Sequence, residues 1–409
     1  MQARNAHRLT LPQFMTTCEH VAVTNAANGR HDSDARKVLI VKSNLERFRL
    51  PFYSGLEKRL AQENVQLRVA VPVNRCGSCT ASWLVPVRGG NIQIAGKTLS
   101  WQRVLGYARG SQLVIAQQCA QELTNYYLLA LRKTCGYRLA LWGHGADFQR
   151  TWTTPVTHLI KRKIFDTVDF WFAYTPGVAK IVESWGFPRD RICSVFNSVD
   201  TTTEANFHRS VTDKSKVALR AAFGMMPGAK LVSYCGALYK AKRLDFLVNA
   251  CKVVRNAGID LHLVVIGDGA ERARLERTSR DEKWIHVAGA ASGERKALYL
   301  AASECMAIPG VVGLAVVDAF AHECPLITTS ARGHGPEIEY LEDGINGIKT
   351  ADNIDPFAES LVRVVTDEQL KLRLRQGCRD AAALITMENM IERFAIGVMK
   401  ALRVPLRRS

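Results

Sequence analysis

Long apolar runs are missing from this sequence of 409 residues. No stretch reaches the roughly 20 consecutive apolar residues that a membrane-spanning helix requires, and the N-terminus has no apolar core of the kind found in a secretory signal. The 11 cysteines are scattered along the chain, which suits a reducing compartment better than a disulfide framework. We therefore expect a cytoplasmic protein with no membrane span.

Motifs of several other protein classes are also absent. The chain has no RNP motif, zinc-finger spacing or helix-turn-helix pattern, so we expect no nucleic acid as a partner. It has no paired carboxylates of the kind that glycosidases use. Its Cys-x-x-Cys pair, Cys76 and Cys79, has no second pair to complete a zinc site and does not lie at a strand-to-helix junction. The pair therefore gives little reason to expect a metal or redox centre.

The charge that is present is strongly of one sign. Lys and Arg number 55 against 38 Asp and Glu, which gives a net charge of +17. Such an excess favours anionic partners, although any single cluster, such as Lys161 to Lys163, is usually only a solvated surface. A basic residue near an anionic bilayer gains about 1 kcal/mol. We therefore predict a peripheral protein at the inner face of the membrane.

Strand and helix patterns alternate through two successive parts of the chain, which predicts two parallel sheets with helices on both faces. The fold class is therefore α/β, with two successive domains and a ligand site expected in the cleft between them. Residues 74–104 look irregular, and the polar residues from about 201 to 216 look like a linker. The predicted parts are a flexible extension at 1–36, a first domain at 37–205, a second domain at 217–385, and a C-terminal helix at 386–409 that packs back on the first domain.

Residues 305–329 have the strongest local pattern, which is that of a strand, a glycine loop, a helix and a second strand. The first strand ends at Pro309, and Gly310 and Gly313 frame the loop. Such a loop points backbone N–H groups and the positive end of a helix dipole at whatever lies above it, which suits a phosphate. A purely structural turn between strand and helix is the alternative.

The order of these and further motifs resembles the family 4 retaining glycosyltransferases, which have the GT-B fold. The resemblance covers about residues 37–400, and each motif alone is weak, but their order and spacing are specific. The segments that carry it are Asp169–Asp200, Ser233–Asp245 (SYCGALYKAKRLD), Val264–Gly269 (VVIGDG), Pro309–Thr328 and Gly335–Gly347 (GPEIEYLEDGING).

The resemblance implies a basic loop that binds the donor diphosphate after the first strand of the second domain. Gly236 and Lys242 match the family pattern, whereas Ala237 occupies the position of the family arginine. We expect Lys242 and Arg243 to supply the positive charge, which would stabilise the leaving nucleoside diphosphate in the transition state. The alternative is that these are ordinary solvated side chains.

The family also has two glutamates eight positions apart, one contacting the donor sugar and one the ribose. Gly310 and Asp318 occupy these positions here. Asp318 keeps the ribose carboxylate in shorter form, whereas Gly310 is a candidate substrate contact through its backbone alone. The Pro-Gly-x-Val-Gly-Leu sequence resembles a variant branch of the family. We expect the backbone N–H groups of Val312, Gly313 and Leu314 to bind phosphate or sugar hydroxyls instead.

The remaining matches surround the same cleft. His144 follows a strand of the first domain and matches a family histidine that faces the donor sugar. Its position also favours a site role, because sites in such sheets form at the carboxyl ends of strands. Glu339 matches a glutamate near the nucleotide, with Glu337 as the second choice. The other candidates are Asp147 beside the histidine, Arg49 and Tyr53 on the acceptor side, and Gly267 in the VVIGDG motif.

These matches predict a retaining glycosyltransferase that moves a sugar from a nucleotide-diphosphate donor to a glycan or lipid-linked glycan. We expect no metal and no cofactor, because basic side chains and helix dipoles neutralise the diphosphate. A nucleotide-sugar epimerase of the same architecture is an alternative. A non-catalytic binding subunit is another, suggested by Gly310 and Ala237.

Overall fold

The computed structural model describes residues 35–94, 96–145 and 167–407. Asp147, the predicted helix at 156–165 and the basic cluster at 161–163 lie outside the described residues. Within them, the chain forms two parallel sheets flanked by helices, which confirms the predicted fold class.

The first sheet contains seven strands in the order β3-β2-β1-β6-β7-β8-β9, all parallel. One of its inner strands, RKVLIV, is mostly apolar because both faces of a parallel sheet are covered by helices. The strands in this half of the chain are β1 (Arg36–Val41), β2 (Val65–Pro72), β3 (Leu84–Val87), β4 (Gly89–Ile94), β5 (Lys97–Gln102), β6 (Leu113–Gln117), β7 (Arg138–Gly143), β8 (Phe170–Ala173) and β9 (Ile192–Ser194). The helices are α1 (Leu50–Ala61), α2 (Leu105–Arg109), α3 (Leu123–Cys135) and α4 (Pro176–Ser184).

The second sheet contains six parallel strands in the order β12-β11-β10-β13-β14-β15. The strands are β10 (Lys230–Cys235), β11 (Leu261–Ile266), β12 (Ile285–Gly289), β13 (Cys305–Ile308), β14 (Leu326–Thr329) and β15 (Gly347–Thr350). The helices are α5 (Thr201–Ser210), α6 (Asp213–Ala222), α7 (Leu244–Asn256), α8 (Arg272–Asp281), α9 (Gly293–Ala301), α10 (Ala315–Ala321), α11 (Ile354–Thr366), α12 (Glu368–Leu384) and α13 (Met387–Ala401).

Each sheet carries its own hydrophobic core. One large cluster surrounds the second sheet, and two clusters cover the two faces of the first sheet. The last helix, α13, belongs to the first core, where Phe394 stacks on Phe172 with ring centroids 4.4 Å apart. After the second domain, the chain therefore returns to the first domain, and α13 links the two.

Two segments differ from the sequence-based expectation. Residues 201–216 are helical and not a linker: the Asp200 side chain accepts from the backbone N–H of Thr203, and Thr212 and Ser215 form a capping box. Helices α5 and α6 bury almost nothing, so their sequence lacks the apolar periodicity by which helices are recognised. Residues 74–104 are also not irregular, because they contain β3 and the antiparallel hairpin of β4 and β5.

Among the described residues, no helix combines the length and apolar character needed to cross a membrane. The described cysteines form no disulfide bonds. The Cys76 thiol is buried, which raises its pKa, and donates to the carbonyl oxygens of Val71 and Pro72 at 3.5 and 3.3 Å. These contacts indicate a structural role for Cys76 at the end of β2.

A buried ion pair holds the first domain together where the chain enters β8. Arg132 Nη1 lies 2.8 Å from Asp169 Oδ1, and both side chains are almost completely buried. Asp169 also accepts from the backbone N–H groups of Leu139 at 2.9 Å and Arg407 at 2.6 Å. The carboxylate therefore joins α3, β7 and the end of the chain.

We predict that Asp169→Ala lowers the free energy of unfolding by about 3–5 kcal/mol, because it leaves the Arg132 guanidinium buried without its counter-charge. Urea denaturation measures the change. Asp190→Ala is the matched control, since Asp190 is exposed, and we expect it to stay within about 0.5 kcal/mol of the wild type. Equal stability of the two variants would contradict this account of the ion pair.

Candidate active site

A cavity of about 270 Å³ lies between the two domains, at the carboxyl ends of strands from both sheets. This is where ligands bind in open parallel α/β sheets. It brings together His144, Arg49, Lys242 and the loop after β13, all of which the sequence singled out. The lining residues are Lys42, Glu46, Phe48, Arg49, Gln117, His144, Tyr174, Asn197, Tyr239, Lys242, Val311, Val312, Gly313, Leu314, Gly335 and Glu337.

Lys242 enters the cavity from a short 3-10 turn at Lys240–Lys242 that follows β10. Its Nζ donates to the carbonyl oxygen of Val311 at 2.5 Å and lies 5.4 Å from the centre of the Tyr239 ring. Burial lowers the pKa of Lys242 to about 8. An ammonium has three donors, so two remain for an anion that enters the cavity.

Gly310 allows that turn to lie directly on the loop after β13. A Cβ at Gly310 would overlap the carbonyl oxygen of Ala241 and lie 2.7 Å from Cα of Lys242. The Val311 N–H donates to the Ala241 carbonyl at 3.1 Å, which fastens the two loops together. A glutamate cannot occupy position 310 in this arrangement. The predicted role of Gly310 as a substrate contact is thus replaced by close backbone packing.

The three loop amides expected to bind phosphate are not equivalent. The Val312 N–H donates to Nδ1 of His334 at 3.1 Å, so it is already satisfied. Nε2 of the same ring lies 2.9 Å from the Thr329 carbonyl oxygen, which assigns the neutral tautomer with its proton on Nε2. Burial lowers the pKa of His334 and favours that neutral form. Among the described contacts, the amides of Gly313 and Leu314 have no hydrogen-bond partner.

His144 is exposed at the opposite wall of the cavity, directly after β7. Its ring lies against Tyr174 with centroids 4.4 Å apart. The turn that carries it is held by Gln118, whose side-chain amide donates to the Gly145 carbonyl and accepts from the Gly145 N–H, both at 2.7 Å. The histidine is therefore fixed by its backbone and faces the second domain.

Arg49 lines the cavity, but its guanidinium is used within the protein. Nη1 donates to the Ser198 carbonyl at 3.0 Å and Nη2 to the Asn197 side chain. Asn197 in turn donates to Glu337 at 2.5 Å. This series of hydrogen bonds joins the start of the first helix to the second domain. Of the two candidate glutamates Glu337 and Glu339, Glu337, the second choice from the sequence, lines the cavity.

Glu339 lies at a contact between the domains instead of lining the cavity. Both of its carboxylate oxygens accept from the Gly177 N–H at 3.0 Å, in the first turn of α4. Burial raises its pKa despite this hydrogen bond. Tyr53 is also outside the cavity, because its ring is completely buried against Phe52 and Trp83. For both residues the geometry favours a structural role over the predicted contact with substrate.

Arg243 turns away from the cavity. Its guanidinium pairs with Asp352 and lies 4.4 Å from the centre of the Phe246 ring. Its backbone is left-handed, with φ of 58°, where the chain leaves the turn and begins α7. The prediction that Arg243 supplies positive charge to the cavity is therefore not supported, since its guanidinium pairs with Asp352. Lys242 is the basic side chain of this turn that lines the cavity.

Asp318 lies on α10 and is paired with Lys296, whose Nζ is 3.0 Å from Asp318 Oδ1 and 3.0 Å from Glu204 Oε1. Burial opposes the charge on Lys296, but the two carboxylates outweigh it and raise its pKa. Glu204, Asp318 and His322 are close enough to hold a metal ion, the one such group among the described residues. The Lys296 ammonium already lies between the two carboxylates and supplies their counter-charge.

The two glycines after β10 and β11 pack against each other. A Cβ on Gly267 would overlap the carbonyl oxygen of Gly236 and lie 2.9 Å from its carbonyl carbon. Both have φ near 150°, which favours glycine. The Leu238 N–H donates to the Asp268 carbonyl at 2.8 Å across the same contact. These glycines position the turn that carries Lys242, and neither lines the cavity.

Several cavity residues were not predicted from the sequence, among them Lys42, Asn197 and Tyr174. Lys42 follows the end of β1, and burial lowers its pKa to about 8. Asn197 joins Arg49 to Glu337, and Tyr174 supports His144. All three directly follow or lie close to a strand end of the first sheet, so the rule that sites form at carboxyl ends of strands could have identified them.

Two facing Rossmann-like domains with a cleft between them define the GT-B fold. Solved structures with the same fold include Anabaena HepE in complex with UDP-glucose, with a TM-score of 0.64, 13% identity, and coverage of 89% of this chain and 99% of that chain. Another is sucrose-phosphate synthase from Thermosynechococcus elongatus, with a TM-score of 0.65, 14% identity, and coverage of 88% and 97%. At these identities the likeness shows the fold.

The family match lies in the second domain. Residues 229–367 match the family described as "Glycosyl transferases group 1", which confirms the resemblance to family 4-like GT-B glycosyltransferases. The alpha-D-kanosaminyltransferase of Streptomyces kanamyceticus is 24% identical over 179 residues, 42% of this chain and 45% of that protein. A glycosyltransferase of Methanocaldococcus jannaschii is 23% identical over 195 residues, 44% and 49% of the two chains. The matches thus span about half the length of these curated relatives.

The packing at Gly310 leads to a prediction with a close control. Gly310→Ala should destabilise the protein by about 1–3 kcal/mol, because the new methyl group forces the Lys242 turn away from the loop. Gly313→Ala should be tolerated, since the nearest atom to a Cβ there is Glu337 Oε2 at 4.0 Å. Thermal unfolding of both variants checks this. Equal melting temperatures for the two would contradict the proposed close packing.

Proposed function

We propose that this protein transfers a sugar from a nucleotide-diphosphate donor to a glycan or lipid-linked glycan with retention of anomeric configuration. The observation that carries the proposal is the placement of Lys242 in the cleft, opposite His144 and beside the loop after β13. A fixed cation there is suited to the negative charge that develops on a leaving nucleoside diphosphate.

The roles of the other residues follow from this placement. The diphosphate would bind at the ammonium of Lys242 and the amides of Gly313 and Leu314, and the ribose near Asp318 on α10. The donor sugar would then face His144 and the pair of Lys42 and Glu46, whose Nζ and Oε2 are 3.8 Å apart. HepE, a protein of the same fold, binds UDP-glucose, which supports a nucleotide sugar as donor.

The acceptor side belongs to the first domain. A net charge of +17 supports an anionic surface near the acceptor, and a lipid-linked glycan at the inner face of a membrane would meet that condition. We therefore propose that the protein is cytoplasmic and binds peripherally to the inner face of the membrane.

Metal-independent transfer is a further part of the proposal. Lys242 supplies a positive charge for the diphosphate, and Lys296 supplies the counter-charge between Glu204 and Asp318. We expect activity to be unchanged in EDTA. The two alternatives, a nucleotide-sugar epimerase and a non-catalytic binding subunit, predict other products: an epimer in the first case and none in the second.

Incubation with a panel of nucleotide sugars tests the function. A transferase should release a nucleoside diphosphate from one donor, at a rate that rises when glycan or lipid-linked glycan acceptors are added. Recovery of an epimerised nucleotide sugar would favour the epimerase, and donor binding without turnover would favour the binding subunit. Loss of activity in EDTA that divalent metal restores would overturn metal independence.

Lys242→Ala should lower kcat by about 10²–10³-fold, the usual effect of removing one preorganised group that stabilises transition-state charge. Lys240→Ala is the matched control, because Lys240 is an exposed lysine of the same turn that does not line the cavity. Unfolding temperatures of both variants separate this effect from a loss of fold. Wild-type turnover in Lys242→Ala would remove Lys242 from the site.

The low pKa of Lys242 predicts a pH dependence. Burial lowers this pKa to about 8, so the ammonium is present below pH 8 and is lost above it. Affinity for a nucleoside diphosphate should therefore be level up to about pH 8 and fall at higher pH, as calorimetry can measure. Lys42 also titrates near pH 8, so Lys242→Arg, which stays charged, isolates the contribution of Lys242. An unchanged pH profile in Lys242→Arg would contradict the assignment.

A further inference from the structure

The hairpin of β4 and β5 stands apart from both large sheets and has two unlike faces. Its register pairs Ile92 with Leu99 and Gly90 with Trp101. Because directly opposed residues of an antiparallel pair share a face, the apolar residues Ile92, Ile94, Leu99 and Trp101 lie together. The other face is polar, and Gln93 donates there to Thr98 at 2.8 Å. The hairpin is therefore amphipathic.

Its apolar face is turned to solvent. Ile92 is 43% exposed, Ile94 53% and Trp101 39%, while Leu99 is partly covered. The opposite side of the hairpin base is packed inward, where Gln102 is buried. Isolated exposed apolar side chains are common, but a face of them on a projecting hairpin is typical of an interaction surface.

The same face continues into a basic cavity at the base of the hairpin. Arg88 precedes β4 and Arg103 follows β5, and the Arg103 N–H donates to the Arg88 carbonyl at 2.7 Å, so the strand pairing extends to both. Alternation then puts both arginines on the side of Gly90 and Trp101. A cavity of about 480 Å³ lies beside them, and its lining also contains Lys37, Arg68 and Tyr107.

No described residue supplies a counter-charge to the cations of this cavity. The side chains of Lys37, Arg68, Arg88 and Arg103 form no ion pair or hydrogen bond with any described residue, and no acidic residue lines the cavity. Four cations around one concave surface create a positive potential that favours a multiply charged anion. Arginine is suited to phosphate because its donors form a planar fork.

We propose that the apolar face of this hairpin and the adjoining basic cavity form the surface by which the protein docks on an anionic lipid bilayer. Ile92, Ile94 and Trp101 enter the boundary of the acyl region, and the basic cavity receives lipid phosphate groups. The inference deepens the proposed function, on which it rests for the membrane-bound acceptor, by naming the surface that meets the membrane.

A bilayer fits both halves of this surface better than a protein partner does. An anionic leaflet offers phosphate groups above an apolar layer, and the surface offers four unpaired cations beside an apolar face. Tyr107, 37% exposed at the cavity rim, and Trp101 are of the residue types enriched at the level of lipid headgroups. The arrangement lies on the first domain, the side predicted to hold the acceptor.

Co-sedimentation with vesicles tests the proposal on the full chain. Vesicles of equal parts phosphatidylglycerol and phosphatidylcholine should bind the protein at low salt and release it at about 0.5 M salt, where screening is strong. Ile92→Ser with Ile94→Ser, and separately Arg88→Gln with Arg103→Gln, should each weaken binding tenfold or more. Pure phosphatidylcholine should bind no variant.

Matched controls lie on the second domain. Val217→Ser with Met226→Ser removes two apolar residues that are 65% and 68% exposed, and Arg277→Gln with Arg280→Gln removes two exposed charges. Both control pairs should bind like the wild type. In a separate measurement, brominated lipids should quench tryptophan fluorescence, and Trp101→Phe should remove most of that quenching.

Wild-type binding by both hairpin variants, or equal binding to neutral and anionic vesicles, would overturn the proposal. A dimer in sedimentation velocity that Ile92→Ser with Ile94→Ser dissociates would assign the face to a second copy of the chain instead. Nucleoside diphosphate release from donor alone, measured without lipid, should be unaffected by the hairpin variants. Wild-type protein that binds anionic vesicles but releases no nucleoside diphosphate would therefore contradict the proposed function without contradicting the docking surface.

Discussion

The close approach of two backbones at Gly310 is the constraint on which the cleft depends. The turn at 240–242 lies so near to this residue that a Cβ would overlap the Ala241 carbonyl oxygen. The contact presses Lys242 against the loop after β13, where its ammonium meets the Val311 carbonyl. The loss of the family glutamate at this position is thus linked to the placement of the cation, because a larger side chain and the present turn cannot coexist.

The segment at 336–340 couples this second-domain loop to the first domain. Glu337 accepts from Asn197, Glu339 accepts from the first turn of α4, and the Tyr340 hydroxyl lies 3.3 Å from the Asn197 carbonyl oxygen. Three contacts from five residues fix the width of the cleft near His144. They also explain why the two acids of this motif serve the domain interface as well as the cavity, since their oxygens accept hydrogen bonds from protein donors.

Burial and charge work against each other in the cavity. Lys42 and Lys242 both have pKa values lowered to about 8 by burial, so each is held in an environment that disfavours its own charge. An anionic ligand would relieve that cost. Arg243 and Asp318, by contrast, already have partners of opposite charge in Asp352 and Lys296. Their neighbours therefore satisfy them without a ligand. Lys42 lies 3.8 Å from Glu46, whereas Lys242 has no acidic partner among the described residues, so its environment favours an incoming diphosphate.

The sequence by itself determined the alternation of strands and helices, and hence two parallel α/β domains, because buried strands and amphipathic helices leave periodic apolar patterns. It also placed His144, Lys242 and the 310–314 loop at strand ends, which the fold then brings to one cleft. Only the tertiary structure decided which of the candidate side chains near these strand ends reach the cavity. Tyr53 is buried in the core, Arg243 turns to Asp352 and Glu339 caps α4, because each direction is set by contacts between distant segments that no local pattern records.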